Sequence, residues 1–223
     1  MTKKTFFGAM AVVTAVALTG TALVASNMGF KLNYTLNQAG AGGSLTGVRT
    51  LALPDNRQTG MVDAKNLMDD IGSASTTSIS RYIIGTDLLQ PYTGRKTQPS
   101  TPFTLTSGEG VLVKMLTTVN YIVVGSDDPA LVYQMRATGT GGSLSGVNLY
   151  AYNYHQTATD AKALMDDIGS ASTTSISRYV VGTDLLQPYT GRKIQPSTPF
   201  TLTPGEAYYV KMLTTVNYTP SHY

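Results

Sequence analysis

An internal repeat constrains this chain more than any other feature of its sequence. The segment DAKNLMDDIG at residues 63–72 returns as DAKALMDDIG at 160–169, and the match continues to KMLTTVNY at 114–121 and 211–218. Over this length the two copies are offset by 97 residues. A fixed internal period indicates repeated structural units, and this period is longer than the roughly 20–50 residues of a solenoid repeat. We therefore predict two tandem copies of one small domain.

The two copies differ in length at one place. Around the motif GGSLxGV, at 42–48 and 141–147, the offset is 99 residues, so the second copy lacks two residues between Asp55 and Val62. Loops accept such changes more readily than helices and strands do. The sequence therefore predicts a loop over 55–62.

An alternating pattern opens each copy and locates the domain boundaries. Leu-x-Tyr-x-Leu at 32–36 corresponds to Leu-x-Tyr-x-Met at 131–135, and such alternation is typical of a half-buried strand. The segment Gly-Ser-Asp-Asp-Pro at 125–129 consists of residues that favour turns. We place repeat one at 27–126 and repeat two at 127–223, joined through this turn.

The residue types predict a mainly β fold. Charged residues make up only 13% of the chain and aromatic residues 9%, which is not the composition of a disordered protein. Apolar residues recur at i, i+3, i+4 and i+7 over 63–71, with Gly72 after them, and this predicts one short helix per repeat. Strands are predicted in repeat one over 31–36, 48–53, 78–84, 103–105, 111–116 and 121–124 and near Tyr92. We expect a mainly β protein, borderline α+β, with two tandem β-sandwich-like domains, each with its helix over one open edge or end.

The N-terminus predicts export from the cell. Met1–Lys4 is a short basic head, and an apolar stretch with small residues follows it to about Val24. This order is that of a secretory signal peptide. We predict cleavage after Ala25, so that 1–25 is removed; cleavage after Ala22 and retention as a membrane anchor are the alternatives. The cleaved protein is then expected outside the cell or at its surface, with the periplasm as a second location and no contact with the membrane.

Charge and residue content argue against two classes of function. Removal of Lys3 and Lys4 with the signal peptide lowers the formal net charge from +3 to +1. The remaining basic residues form no cluster of the kind that nucleic acid requires. The chain has no cysteine and two histidines, His155 and His222, with no nucleophile motif beside them. We therefore expect neither nucleic-acid binding nor enzymatic activity.

Three tyrosines in repeat two form the first candidate ligand site. Tyr150, Tyr152 and Tyr154 occupy alternate positions, which places them on one face of a strand. An aromatic face of this kind can hold sugar rings. Two of the three positions carry leucine in repeat one, so packing in the core or between subunits is the alternative.

Two adjacent acidic residues in the predicted turn form the second candidate site. Asp127 and Asp128 lie where a Ca²⁺ ion could stiffen the joint between the repeats, and calcium is the one cofactor that the sequence suggests. No Asp-x-Asp-x-Asp-Gly loop accompanies them. Turn formation before Pro129 explains these residues equally well.

A further acidic pair ends each predicted helix. Asp69-Asp70 and Asp166-Asp167 resemble paired catalytic carboxylates, but neighbours on a helix point about 100° apart and do not converge. Carboxylates at a helix C-terminus also oppose the helix dipole. Solvation or local turn bonding is the expected role.

Two segments of the chain carry a resemblance. SNMGFKLNY at 26–34, just after the predicted cleavage site, resembles the mature start of a group of uncharacterised secreted bacterial proteins. GEAYYVKM at 205–212 is similar to the Gly-Glu-Gly-Tyr-Phe-Val ending of modules found in bacterial surface proteins, although repeat one has Val111 and Leu112 in place of the two tyrosines. The resemblance implies an exported bacterial protein and carries no catalytic residues.

These observations lead to one expected function and two alternatives. The expected function is that of a secreted structural or adhesive protein that self-assembles into a layer or fibre. If repeat one docks on repeat two through the joint between them, the free end of repeat two offers the next molecule a similar surface, and head-to-tail growth follows. The alternatives are a polysaccharide-binding module that uses the tyrosines of repeat two and a hydrolase that would require His155 beside a nucleophile.

Overall fold

The computed structural model describes residues 29–94, 100–191 and 197–222. The predicted signal peptide and its cleavage site lie outside the described residues. In repeat one the structure has strands β1 (Gly29–Leu36), β2 (Val48–Ala52), β3 (Asn56–Arg57), β4 (Thr76–Ile83), β5 (Leu88–Tyr92), β6 (Gly110–Met115) and β7 (Val119–Ser126), with helix α1 (Ala64–Ile71) between β3 and β4. In repeat two it has strands β8 (Tyr133–Met135), β9 (Val147–Ala151), β10 (Thr173–Val180), β11 (Leu185–Tyr189), β12 (Ala207–Met212) and β13 (Val216–Tyr218), with helix α2 (Ala161–Ile168) between β9 and β10 and a 3₁₀ turn at Thr140–Gly142.

All strands pair antiparallel, and the prediction of a mainly β fold is confirmed. Each repeat has a four-stranded sheet, in the orders β2-β6-β4-β5 and β9-β12-β10-β11. The first and last strands of each repeat pair in a second sheet, as β1-β7-β3 and as β8-β13. Two details differ from the prediction. Residues 103–105 contain only a single bridge, between Thr104 and Asp63, and the predicted loop over 55–62 contains the short strand β3.

The predicted helix over 63–71 is present, and local sequence explains both of its ends. The Asp63 side chain accepts a hydrogen bond from Asn66 N at 2.9 Å, which caps the first turn. Gly72 ends the helix with a φ of 116°, in the region that favours glycine. The helix buries Ala64, Leu67, Met68 and Ile71. Helix α2 has the same cap and the same buried face in repeat two.

Each repeat has its own hydrophobic core. In repeat one the core joins the inner faces of both sheets to the apolar face of α1, from Leu36 to Val123. In repeat two the corresponding core extends from Tyr133 to Tyr218. Among the described residues no helix has the length and apolar character required to cross a membrane.

The two repeats pack together through the outer faces of their four-stranded sheets. Leu112, Leu149 and Ala207 form the buried centre of this contact. Tyr82 and Tyr209 pack beside them, and their rings meet edge to face with centroids 6.2 Å apart. Edge-to-face packing is a favourable arrangement for aromatic rings. The contact therefore has an aliphatic centre with two packed tyrosine rings beside it.

Contacts across this interface occur in reciprocal pairs. Ala52 N donates to Gly205 O at 2.7 Å, and the equivalent Ala151 N donates to Gly108 O at 3.0 Å. A second reciprocal pair joins Leu45 N to Val181 O and Leu144 N to Ile84 O. Equivalent groups exchange roles on the two sides, so the repeats are related by an approximate two-fold axis.

This arrangement corrects the geometry expected from the sequence. Head-to-tail growth requires repeat one to use one surface and to leave a similar surface free on repeat two. The structure instead pairs equivalent surfaces, so both halves of this contact are occupied within one chain. Self-association itself stays a prediction, and it requires a different surface.

Candidate functional site

Two equivalent tyrosines each reach from one repeat to the other. Tyr34 OH donates to Pro204 O at 2.8 Å, and the equivalent Tyr133 OH donates to Asp55 Oδ1 at 3.1 Å. Each tyrosine therefore belongs to one repeat and bonds to the other. Hydrogen bonds between buried groups fix orientation because the unbonded alternative leaves polar atoms without water.

Each of these tyrosines lies directly over a glycine of the other repeat. A Cβ atom on Gly108 would lie 1.6 Å from Tyr133 Cε1, and one on Gly205 would lie 1.0 Å from Tyr34 Oη. Both glycines have positive φ, at 83° and 87°. Glycine is required at both positions because the ring occupies the space of a side chain and the backbone conformation disfavours one.

Asp55 forms the centre of a buried polar cluster at the joint between the repeats. Its Oδ1 accepts the Tyr133 hydroxyl and its Oδ2 accepts Asp128 N at 3.2 Å. Burial, opposed by these hydrogen bonds and reinforced by the nearby Asp127 charge, raises the pKa of Asp55 to about 6. The joint therefore contains a carboxyl group whose pKa lies above its ordinary value, mainly because the group is buried.

Both histidines of the chain meet Asp127 in this cluster. The Nδ1 atoms of His155 and His222 lie 3.6 Å and 3.7 Å from Asp127 Oδ2, and His155 N donates to the same oxygen at 3.2 Å. Burial raises the pKa of Asp127, although the two histidines act against this shift. The cluster thus ties the segment that joins the repeats to the loop after β9 and to the last described residues of the chain.

The two aspartates of the predicted calcium site face different partners. Asp127 faces the two histidines, whereas Asp128 Oδ1 accepts Ala130 N at 3.0 Å in a local turn. Ca²⁺ takes oxygen ligands, and imidazole nitrogens are not among them. Within residues 29–94, 100–191 and 197–222 no group of three or more acidic or histidine side chains has a geometry that could hold a metal ion. Calcium binding at Asp127 and Asp128 stays a prediction.

The prediction of a tyrosine platform in repeat two is wrong for two of its three residues. Tyr150 and Tyr152 are only 1% and 3% exposed, and both belong to the core of repeat two. Tyr150 OH donates to Gln156 Oε1 at 2.7 Å, and Tyr152 OH donates to the carbonyl of Ala158. A sugar ring cannot stack on a buried face, so these residues serve packing, which was the alternative interpretation.

Tyr154 lies apart from the other two tyrosines. It is 41% exposed, and its ring packs against Phe30 of repeat one and against His155, at centroid distances of 5.7 Å and 5.2 Å. Strand β9 ends at Ala151, so the alternation on which the prediction relied does not continue to this residue. Tyr150, Tyr152 and Tyr154 therefore do not form the exposed row on which the prediction of polysaccharide binding depends.

A cleft of about 220 Å³ opens between the repeats on the side of β8. Tyr82 and Glu109 of repeat one and Arg136 and Asn148 of repeat two are among the residues that line it. Asn148 Oδ1 accepts Arg136 N, and its Nδ2 donates to Arg136 O, both at 3.0 Å. The amide of Asn148 thus holds Arg136, the residue that follows β8, beside β9.

No protein-family model, curated protein or solved structure matches this chain. The functional argument therefore depends on the geometry described above.

Proposed function

We propose that this protein is a secreted structural or adhesive protein, a building block that self-associates at or outside the cell surface and has no catalytic role. The observation that carries the proposal is the approximate two-fold relation between the repeats. The apolar N-terminal segment with its basic head supports the secreted location.

Two-fold symmetry within one chain has a direct consequence for assembly. Every exposed surface that the two repeats share is presented twice, in two directions. A self-complementary patch on an ordinary monomer gives a closed dimer, because both copies of the patch are then used. The same patch presented twice on one chain allows each molecule to hold two neighbours, and growth continues.

The polar cluster at the joint supports a structural role of its own. Asp127 and the two histidines connect three segments that are distant in sequence, and their side chains are largely shielded from solvent, with 4% exposure for Asp127. Groups that act on a substrate must be reachable by it. We assign the cluster to holding the two repeats in one orientation, which a rigid building block requires.

Sedimentation velocity of the mature chain, residues 26–223, tests this function. We expect the weight-average mass to rise with protein concentration beyond that of a dimer, and we expect negative-stain electron microscopy to show chains or layers. Parallel samples with EDTA and with CaCl₂ determine whether calcium contributes. A mass that stays monomeric from micromolar to millimolar concentration in both samples refutes the proposal.

A further inference from the structure

We propose that a second copy of this chain docks on the uncovered margin of the outer sheet face in each repeat, which consists of Leu89 and Pro91 in repeat one and Leu186 and Pro188 in repeat two. We call these two surfaces the leucine–proline margins. The inference rests on the proposed self-association and names the surface that performs it.

Strand register places each margin on the face that the repeats use to meet each other. Leu89 pairs with Tyr82, and Pro91 pairs with Ser80, which in turn pairs with Leu112. Residues directly opposite on neighbouring strands point to the same face of a sheet. Leu112 and Tyr82 both belong to the contact between the repeats, so the margin is a continuation of that contact.

The margins remain exposed although the rest of this face is covered. Leu89 and Leu186 are each 48% exposed, whereas Leu112 is 7% exposed. Pro91 and Pro188 are exposed as well. The apolar face of each sheet is therefore wider than the area that the other repeat covers, and its outermost strand carries the uncovered part.

The occupant follows from what already binds this face. The covered part of the face packs against its own equivalent from the other repeat, so the surface is complementary to itself. A second copy of the chain offers the same face with the same leucine and proline uncovered. Continuity with this interface makes another copy of the chain the partner of each margin.

Proline directs the contact to the face of the sheet rather than to its edge. β5 and β11 are edge strands, and each contains a proline, which has no N–H to offer to an added strand. Growth by strand addition is therefore disfavoured at these edges. Side-chain packing of one margin against another remains available.

The two margins lie one on each repeat, so their separate removal gives an ordered set of outcomes. In the full mature chain, Leu89→Asn leaves only the margin of repeat two. Two molecules can then join through this margin, and we expect assembly to stop at dimers. Leu186→Asn is expected to give the same result through the margin of repeat one. The double variant is expected to remain monomeric at concentrations where the unmodified chain assembles, with association weakened about tenfold or more at each margin.

The neighbouring leucines provide a matched control on the same strands. Leu88 and Leu185 are 65% and 67% exposed, but they pair with Ile83 and Val180 on the opposite face of each sheet. Leu88→Asn with Leu185→Asn therefore removes more exposed apolar surface without touching the margins. We expect this control to assemble like the unmodified chain, and thermal unfolding followed by circular dichroism verifies that every variant is folded.

The outcomes separate this inference from the proposed function. If the unmodified chain is monomeric, the proposed function fails. If it assembles and the margin double variant assembles equally well, or the control loses assembly to the same extent, the margins are not the docking surface. The chain has no cysteine, so Leu89→Cys permits a second test: oxidation should crosslink it to a dimer, and equal crosslinking of Leu88→Cys contradicts the inference.

Discussion

Substitution of Gly108 by alanine directly tests the tyrosines that reach between the repeats. The added methyl group would lie 1.6 Å from Tyr133 Cε1 and 2.0 Å from its Cδ1, so the ring must move. Tyr133 is 8% exposed and packs at a centroid distance of 5.2 Å against Tyr150. Its displacement disturbs both the core of repeat two and the hydrogen bond to Asp55.

The expected loss of stability has two parts. The left-handed backbone at Gly108 costs an alanine about 1–2 kcal/mol. Forcing a ring out of a packed site costs about 1–3 kcal/mol more. We therefore expect Gly108→Ala to lower the free energy of unfolding by roughly 2–5 kcal/mol, and Gly205→Ala to lower it similarly because Tyr34 occupies the equivalent site.

Gly40 provides the control for the backbone term. Its φ is 81°, close to the 83° of Gly108, but a Cβ atom there would have nothing within 4 Å. Gly40→Ala is expected to cost only the strain of the left-handed conformation. Urea unfolding at equilibrium measures both variants. Equal losses in Gly108→Ala and Gly40→Ala would refute the argument that Tyr133 holds the repeats together by occupying this space.

Three further predictions concern the joint, the helix end and the core. Because the pKa of Asp55 is raised from 3.8 to about 6 in the folded state, its contribution to stability is greatest below pH 4 and is lost as the pH rises through about 6; Asp55→Asn should remove this part of the pH dependence of urea unfolding. Tyr121→Phe deletes a hydrogen bond to a helix-end carboxylate and should cost about 1–3 kcal/mol in the same assay, whereas Lys65→Met breaks an exposed ion pair and should have no measurable effect. Tyr150→Ala should cost about 3–5 kcal/mol as a core truncation, and Tyr154→Ala less than about 1 kcal/mol, when their thermal and urea unfolding are compared.

The parts of this fold that depend on neighbouring residues could be predicted from the sequence. Helix α1 follows from the spacing of four apolar residues between Asp63 and Gly72, and its cap and its end are both local. The acidic pair at its C-terminus could not be explained in this way. Asp70 accepts hydrogen bonds from the hydroxyl of Tyr121, which lies 51 residues later, and from Nε2 of Gln58 in the preceding loop. Lys65 donates to Asp69. A bond between residues 51 positions apart leaves no periodic signal.

The tyrosines and histidines of repeat two show the same limit. Alternation correctly placed Tyr150 and Tyr152 on one side, but periodicity does not tell a buried face from an exposed one. His155 and His222 reach Asp127 from loops far apart in the chain. The sequence signal for this cluster is the difference between the two copies: repeat one has no histidine at the positions equivalent to His155 and His222.

The joint is the place where a two-fold arrangement must break, because the chain links its repeats only once. The described contacts agree with this requirement. Asp55 of repeat one aligns with Tyr154 of repeat two, Asn56 with His155, and Gly125 with His222. At the joint Asp55 and Asn56 of repeat one and the two histidines of repeat two all bond to or approach Asp127 or Asp128. The backbone contacts elsewhere in the interface exchange like for like. A joint that only connected two independent domains would need no such buried cluster of carboxylates and imidazoles. Its presence indicates that the orientation of the repeats, and hence the direction in which each repeat presents its leucine–proline margin, is the property that this structure maintains.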